Sequence, residues 1–188
     1  MKLILIRHGE CMSNTHKGQN VDYRYNFLTL RGIKQAELAG MELNDLKVNI
    51  DEVHTSTMDR ARQTANIVLQ AMSIHDSATC SPHKDLDEWW EGHKTPLIGY
   101  KTAMMNFVNR VLYPHWLSDK TVMIVGHGNS FTCLFEAIEI VQGVKGEFSE
   151  DILRRHVPNS MPFIYDTKTH KEFKYIIPGE HNIFYAKK

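Results

Sequence analysis

The sequence lacks several features that would define large classes of protein. It has no surplus of charge, because 22 lysines and arginines balance 22 aspartates and glutamates. General binders of nucleic acid or of anionic membranes carry a basic surplus, so neither partner is expected. No apolar run approaches the roughly 18 residues that a membrane-spanning helix needs. The N-terminal run LILI (3–6) is short and is interrupted by Arg7, so a signal peptide is not expected either.

Cysteine is scarce, and its spacing excludes further classes. Only Cys11, Cys80 and Cys133 occur, with no CxxC pair, so the sequence predicts neither a disulfide framework nor a zinc knuckle. Reduced thiols favour a cytoplasmic protein. Cysteine-dependent phosphatases close the loop after the nucleophile with an arginine, whereas the corresponding positions here hold Lys17, Leu86 and Glu139. The eleven histidines include no HExxH pattern, and no metal site is expected from their spacing.

The order of apolar segments predicts a single α/β domain over residues 1–188. Strands alternate with helices, which favours a three-layer sandwich with a mostly parallel central sheet flanked by helices. Strands are predicted at 3–6, at DEVHTS (51–56), in TVMIVG (121–126), and as a late pair in MPFIYD (161–166) and KEFKYIIPG (171–179). Helices are predicted at about 29–46, 59–72, 97–116 and 131–141.

Side-chain periodicity also predicts which helical positions are buried and how one helix begins. The spacing in the first helix predicts a buried stripe, and a similar stripe is predicted in the second helix. Ser56 and Thr57 are candidate caps for the second helix. The predicted buried residues are Ile33, Ala36, Leu38, Met41 and Leu43 in the first helix and Ala61, Ala65, Val68 and Met72 in the second.

Two buried-looking strands each lead directly into a histidine followed by a glycine, at His8-Gly9 and His127-Gly128. Ligands bind beyond the carboxyl ends of strands in such sheets. A neighbouring glycine permits an unusual backbone angle and a close ligand approach, and it leaves backbone N–H groups free for an anion. Arg7 precedes the first histidine, and a buried cation is costly unless something anionic accompanies it. The sequence therefore predicts an anion site at this edge of the sheet.

The segment TSTMDRARQTA (55–65) supplies two more arginines near a helix start. The planar guanidinium of arginine matches a phosphoryl group bidentately. Positions two apart on a helix differ by about 200°, so only one of Arg60 and Arg62 faces the site. A tetrahedral dianion held by two arginines, a helix N-terminus and two imidazoles would be nearly neutralised.

Five linked motifs, in order along nearly the whole chain, resemble the histidine phosphatase superfamily, also called phosphoglycerate-mutase-like. The first and last are LIRHGE (5–10) and VGHGNS (125–130). Asn14 follows the first, and LTLRGIKQA (28–36), TSTMDRARQTA and LDEWWEG (86–92) lie between them. The resemblance implies the fold of that family and a phosphoryl-transfer reaction without metal or cofactor.

Carried over position by position, the resemblance implies a role for each site residue. His8 would be the nucleophile that becomes phosphohistidine, and Glu88 would donate a proton to the leaving alkoxide. The phosphoryl group would be bound by Arg7, Asn14, Arg60, His127 and Gly128. A neutral imidazole is needed for attack, and the positive charge of Arg7 would disfavour its protonation. Glu88 would need a raised pKa, for which the neighbouring Trp89 and Trp90 could supply desolvation.

The activity implied is hydrolysis of a small phosphorylated metabolite. The mutases of this family are implied to be longer and to carry extra basic residues, whereas the interval after LDEWWEG offers Lys94, Lys101 and Arg110 without an adjacent arginine pair. A phosphoglycerate-type mutase, a phosphoprotein phosphatase and a non-catalytic phosphate-binding module are alternatives. Specificity would lie in 16–27, where His16 is a candidate for the pocket mouth, and in 89–101. Core packing and substrate stacking both stay open for Trp89 and Trp90, as does the oligomeric state.

Overall fold

A computed structural model describes residues 1–15, 26–74, 78, 80–89, 95–149, 157–169, 174–176 and 183–185. Seven strands form a single sheet in these residues, and five α-helices accompany it. The strands are β1 (Lys2–Arg7), β2 (Glu52–Ser56), β3 (Cys80–His83), β4 (Thr121–Gly126), β5 (Pro162–Asp166), β6 (Lys174–Ile176) and β7 (Ile183–Tyr185). The helices are α1 (Met12–Thr15), α2 (Leu30–Asp45), α3 (Asp59–Ala71), α4 (Leu97–Phe107) and α5 (Gly128–Val141).

The sheet has the order β3-β2-β4-β1-β5-β6-β7. The first four strands in this order are parallel, and β5, β6 and β7 are antiparallel to their neighbours. Pairing between β1 and β4 runs in register until Arg7 lies opposite Gly126. The two strands therefore end side by side, and the residues that follow, His8 and His127, lie at the same edge.

Alternate residues of β1 enter two separate apolar cores, which makes the sheet the middle of three layers. Leu3 and Leu5 pack with residues of α4 and α5, whereas Ile4 and Ile6 pack with residues of α2 and α3. All four side chains are at most 1% exposed. In a strand covered on both faces every side chain enters an apolar core, which explains the continuous apolar run. The predicted fold class is confirmed.

Helix α2 begins as the sequence predicts but buries a different set of residues. The Thr29 side chain caps it by accepting a hydrogen bond from the Gly32 N–H at 3.1 Å. Leu38 and Met41, predicted to be buried, are 40% and 51% exposed. The prediction is wrong because α2 packs on α3 through its small residues, and a Cβ on Gly40 would lie 2.5 Å from a carbonyl oxygen of α3. The buried residues of α2 are Gly32, Ala36, Ala39, Gly40, Glu42 and Leu43.

Other elements also differ from the sequence prediction, since β7 is not predicted and α5 begins at Gly128 instead of at residue 131. The predicted helix at 97–116 consists of α4, a π-helical turn (Val108–Leu112) and a 3-10 turn (Tyr113–His115) that contains Pro114. Proline lacks the N–H that an α-helical hydrogen bond needs, which is consistent with the change of helix type. Strand β3 was not predicted, because CSPH is a short edge strand that contains a proline. No helix in the described part of the chain is long and apolar enough to span a bilayer.

A buried histidine in β2 makes the stability of the protein depend on pH. His54 is 7% exposed, and burial, followed by the charge of His83, lowers its pKa from 6.5 to about 4. Between pH 6.5 and pH 4 the unfolded chain therefore binds a proton at His54 that the folded chain does not bind. The free energy of unfolding has its full value above pH 6.5 and decreases as the pH falls toward 4. We expect His54 alone to cost about 2 kcal/mol at pH 5.

Urea unfolding of the wild type and of His54→Leu at pH 7.5 and pH 5 measures this contribution. The packing change of the substitution affects both pH values equally, so the difference between the two pH values isolates the titration. We expect the variant to lose about 2 kcal/mol less than the wild type on acidification. An equal loss in both proteins would show that His54 does not titrate in this range.

Candidate active site

His8 lies at the carboxyl end of β1 and is 1% exposed. Its Nδ1 is 2.7 Å from the Gly9 carbonyl oxygen. A carbonyl only accepts hydrogen bonds, so Nδ1 carries the proton and Nε2 presents a lone pair. The Nε of Arg60 donates to this Nε2 at 3.3 Å. The Gly9 N–H donates to the Thr64 hydroxyl at 3.0 Å, which ties the turn to α3.

The surroundings of His8 keep its imidazole neutral. Burial lowers the pKa of His8 well below 6.5, and the positive charges of His127, Arg60 and Arg7 lower it further. The position of Arg7 in the sequence predicts this direction. Burial is the larger cause. A neutral imidazole with a directed lone pair is the form that can attack an electrophile.

His127 follows β4 and meets His8 across the site. The two imidazole centroids are 5.0 Å apart, and His127 is fully buried. The backbone N–H of His127 donates to the Ser130 hydroxyl at 2.9 Å at the start of α5. The Nε2 of His127 is 2.8 Å from the hydroxyl of Ser56 at the end of β2. Three adjacent strands, β1, β4 and β2, thus contribute one polar side chain each.

Glu88 closes the other side of His127. Its Oε2 is 3.3 Å from His127 Nδ1 and 3.9 Å from Arg60 Nη2, and its Oε1 accepts from the Asn129 N–H at 3.2 Å. Burial acts to raise the pKa of Glu88, but His127, Arg60 and the Asn129 N–H outweigh it and lower the pKa. The expectation of a raised pKa is therefore wrong for this state of the site. The sequence shows the neighbouring tryptophans that could desolvate Glu88, whereas His127 and Arg60 come from distant segments.

Of the two tryptophans that follow Glu88, Trp89 belongs to the apolar core. Trp89 is 9% exposed, packs in the core with α4 and α5, and donates its indole N–H to the Thr95 carbonyl at 2.8 Å. The core role considered for Trp89 thus agrees with its position. Trp90 lies outside the described residues.

Arg7 and Arg60 present buried N–H groups to the site. Arg60 is 3% exposed, whereas Arg62 is exposed on the other side of α3. Arg7 donates through Nη1 to the Val157 carbonyl at 2.6 Å. Arg7 Nε and Arg60 Nη1 are buried without a hydrogen-bond partner among the described residues. Buried donors are normally paired, so these two indicate a place for an acceptor that carries negative charge.

Gly128 lies beside Arg7, whereas the described hydrogen bonds of Asn14 are with Cys11. The Asn14 Oδ1 accepts from the N–H of Cys11 at 3.1 Å and from its Sγ at 3.2 Å, so the amide oxygen organises the turn at α1. A Cβ on Gly128 would lie 3.7 Å from the guanidinium carbon of Arg7, an ordinary contact. Neither Gly9 nor Gly128 has a positive φ, so the predicted unusual backbone angle is wrong. At Gly9 the requirement is steric, because a Cβ would collide with the Gly32 backbone.

A loop far along the chain holds the end of β1 in place. The Asn159 Nδ2 donates to the His8 carbonyl at 2.7 Å, and the Ser160 N–H donates to the Arg7 carbonyl at 2.8 Å. Ser160 adopts a φ of 48°, which is uncommon outside glycine. Together with the bond from Arg7 to Val157, these contacts fix both residues at the strand end.

Sequence reasoning missed Asp87, Asn129 and Asn159, and it assigned Ser56 a different role. Helix α3 begins after Met58 without a side-chain cap, so the proposed caps Ser56 and Thr57 are wrong. Ser56 bonds His127 and Asp87 instead. The available signal is the position of Ser56 at the end of the predicted strand 51–56.

Three groups of this site are close enough to ligate a metal ion. One ligand atom each from His8, Glu88 and His127 lie within 4.8 Å of one another. Arg60 lies 3.3 Å from His8 Nε2, and Arg7 lies close by, so their positive charges oppose a cation here. The same charges favour an anion.

A sequence comparison agrees with this geometry. The family model of the histidine phosphatase superfamily (branch 1) matches residues 3–105, which is more than half of the chain. The chain belongs to the histidine phosphatase superfamily.

Relatives within this family include both phosphatases and mutases. The mitochondrial serine/threonine-protein phosphatase Pgam5 of Drosophila willistoni is 32% identical over 142 residues, covering 68% of this chain and 46% of that protein. The chain thus spans about half the length of this relative. The 2,3-bisphosphoglycerate-dependent phosphoglycerate mutase of Bartonella tribocorum is 28% identical over 193 residues, covering 87% of this chain and 90% of the mutase.

A solved structure confirms the fold. The ecdysone phosphate phosphatase of Bombix mori, in complex with tungstate, aligns with a TM-score of 0.74 at 14% identity. The alignment covers 94% of this chain and 92% of that one. At this identity the likeness concerns the architecture alone.

Proposed function

We propose that the protein is a phosphomonoesterase that hydrolyses a small phosphorylated substrate through a phosphohistidine on His8. The observation that carries this proposal is the lone pair on His8 Nε2, which points into a group of buried donors. Arg60 lies 3.3 Å from it, and Arg7 Nε and Arg60 Nη1 have no acceptor among the described residues. A phosphoryl dianion supplies the acceptors and the negative charge that these groups lack.

Binding of the phosphoryl group uses the residues at the strand ends. Arg7 and Arg60 donate to its oxygens, His127 lies across the site from His8, and the amide of Asn14 is assigned one further hydrogen bond to the phosphoryl group. The N-terminal N–H groups of α5, starting at Gly128, add their partial positive charge. These groups are in place before the reaction, so they stabilise the charge that spreads over the phosphoryl oxygens in the transition state.

The reaction proceeds in two steps that balance in atoms and protons. His8 Nε2 forms a bond to phosphorus as the ester P–O bond breaks, and a proton held by Glu88 and His127 passes to the leaving alkoxide. Water then attacks the phosphohistidine, the N–P bond breaks, and the proton of the water returns to the same pair. The products are the alcohol and inorganic phosphate. No metal or cofactor takes part, because the guanidinium groups supply the positive charge.

The contacts of the basic residues that follow Glu88 favour hydrolysis over return of the phosphoryl group to the substrate. A mutase must hold a second acidic group of its substrate. Lys101 donates to the Ser149 carbonyl at 3.1 Å, and Arg110 donates to Asp85 at 2.9 Å. Both cations thus have partners away from the proposed phosphoryl site, while Lys94 lies outside the described residues.

A screen of alkyl phosphates, aryl phosphates and phosphoglycerates tests this proposal. Phosphate release is measured beside isomerisation of phosphoglycerate, with and without EDTA, and with His8→Ala as the blank. We expect phosphate release to exceed isomerisation and to be unchanged by the chelator. Faster isomerisation than release would make the protein a mutase. A loss in EDTA that metal restores would contradict the metal-free mechanism.

A further inference from the structure

Beyond the proposed reacting groups, a hydrogen-bonded chain runs from His127 away from the site. The His127 Nε2 is 2.8 Å from the Ser56 hydroxyl oxygen, and this hydroxyl is 2.7 Å from Asp87 Oδ1. The same oxygen accepts from the Met58 N–H at 3.1 Å. Ser56 is fully buried, so these three partners take up its hydrogen-bonding capacity.

The direction of each bond in this chain follows from the available protons. A carboxylate only accepts, so the hydroxyl proton of Ser56 points to Asp87. Asp87 also accepts from the N–H and the hydroxyl of Thr57, each at 2.8 Å, which fixes the carboxylate in place. The Ser56 oxygen therefore has only lone pairs left, and His127 Nε2 must donate to it.

This order determines what the opposite edge of the His127 ring can do. A neutral imidazole has one N–H, and the chain places it on Nε2. The Nδ1 atom then carries a lone pair 3.3 Å from Glu88 Oε2. A hydrogen bond between them requires one further proton, which either the carboxyl or the ring can hold.

We propose that Ser56 and Asp87 are positioning residues that fix the Nε2–H form of His127 and so keep one transferable proton between His127 and Glu88. The proposal rests on the proposed function, because it identifies how the proton for the leaving group is held in the site. Without the hydrogen bonds to Ser56 and Asp87, a neutral His127 can place its single proton on Nδ1 beside an ionised Glu88. The pair then holds one proton fewer at the same pH.

The first test examines the ring of His127 in the wild-type protein and needs no turnover. Long-range proton–nitrogen NMR of uniformly 15N-labelled protein distinguishes the two neutral forms of histidine and the doubly protonated form. The signals of His127 are assigned from their loss in His127→Asn. We expect Nε2 to carry a proton across the pH range in which the protein is folded. A neutral His127 protonated only on Nδ1 would overturn the proposal.

The second test compares two variants in the hydrogen-bonded chain from His127 to Asp87 with a matched control. Ser56→Ala removes the acceptor of Nε2–H, and Asp87→Ala frees the Ser56 hydroxyl to donate to Nε2. The control is Thr167→Val, which removes a buried hydroxyl that is bonded to the Met1 and Trp116 carbonyls and lies outside this hydrogen-bonded network. We expect kcat to fall about ten- to a hundredfold in the first two variants and to change little in the control.

The pH profile separates this role from a loss of packing. Because the pair holds its proton less firmly without the chain, the basic limb of the kcat profile should move to lower pH in Ser56→Ala and Asp87→Ala. KM should stay within about twofold, since the arginines that bind phosphate are unchanged. Lower activity with an unmoved profile and an unmoved NMR signal would contradict the proposal.

The outcomes also distinguish this proposal from the proposed function. If the wild type has no phosphatase activity but His127 carries its proton on Nε2, the phosphatase assignment fails and the inferred proton arrangement survives. If the wild type is active and His127 is protonated only on Nδ1, the reverse holds.

Discussion

The His8→Ala variant is expected to release phosphate more than about a thousandfold more slowly than the wild type, because it removes the proposed nucleophile. Arg60 lies 3.3 Å from His8 Nε2, and Arg7 and His127 lie close enough to affect the charge of the same ring. The fold should persist, since His8 contacts the Gly9 carbonyl and Arg60 rather than either apolar core. Phosphate release and a thermal melt followed by circular dichroism measure the two expectations.

His83→Ala is a matched control for this variant. His83 ends β3 at the same edge of the sheet, but its ring contacts His54 and Phe107. We expect this variant to retain wild-type kinetics. Phosphate release from His8→Ala within a few-fold of the wild type would assign the nucleophile to another group.

Glu88→Gln is expected to lower turnover of an alkyl phosphate by about a hundred- to ten-thousand-fold, the usual range for general acid catalysis. The amide has the size of the carboxyl but cannot donate the proton that an alkoxide needs. An aryl phosphate has a far better leaving group. With nitrophenyl phosphate, this variant should therefore form the phosphohistidine at close to the wild-type rate and hydrolyse it slowly. Stopped-flow kinetics should show a burst of one nitrophenolate per protein.

The matched control for this charge change is Glu136→Gln. Glu136 is 1% exposed in α5 and is paired with Lys145 at 2.8 Å and with the Ser149 N–H at 2.7 Å. We expect its loss to change stability and to leave both substrates turning over normally. Equal losses on alkyl and aryl substrates in Glu88→Gln, without a burst, would make Glu88 a binding group and not the acid.

The parts of the fold that could be predicted are those in which the residue pattern of a single segment shows how that segment is buried. The runs in β1 and β4 are apolar at every position because both faces of each strand are covered. The first of these runs places Arg7 and His8 at a sheet edge, and the motifs shared with the histidine phosphatase superfamily locate Arg60 and Glu88. The buried face of α2 was mistaken because close packing on α3 selects small residues over large ones, which a hydrophobic pattern alone does not reveal.

The electrostatics of the site depend on which strands are neighbours. The bond of Ser56 to His127 exists because β2 lies beside β4, and the bond to Asp87 exists because β3, which ends four residues before Asp87, lies on the other side of β2. The direction of the Glu88 pKa likewise depends on His127 and Arg60, which come from other strand ends. Sequence order contains no measure of these lateral distances.

The clamp formed by Val157, Asn159 and Ser160 has a consequence for synthesis of the chain. His8 and Arg7 are synthesised before the residues that hold them, because those acceptors and donors lie some 150 residues later in the sequence. A nascent chain with only the first half of the sheet would leave that guanidinium without its Val157 acceptor and the strand end unanchored. The proposed site is therefore completed late, when the antiparallel strand β5 is added next to β1.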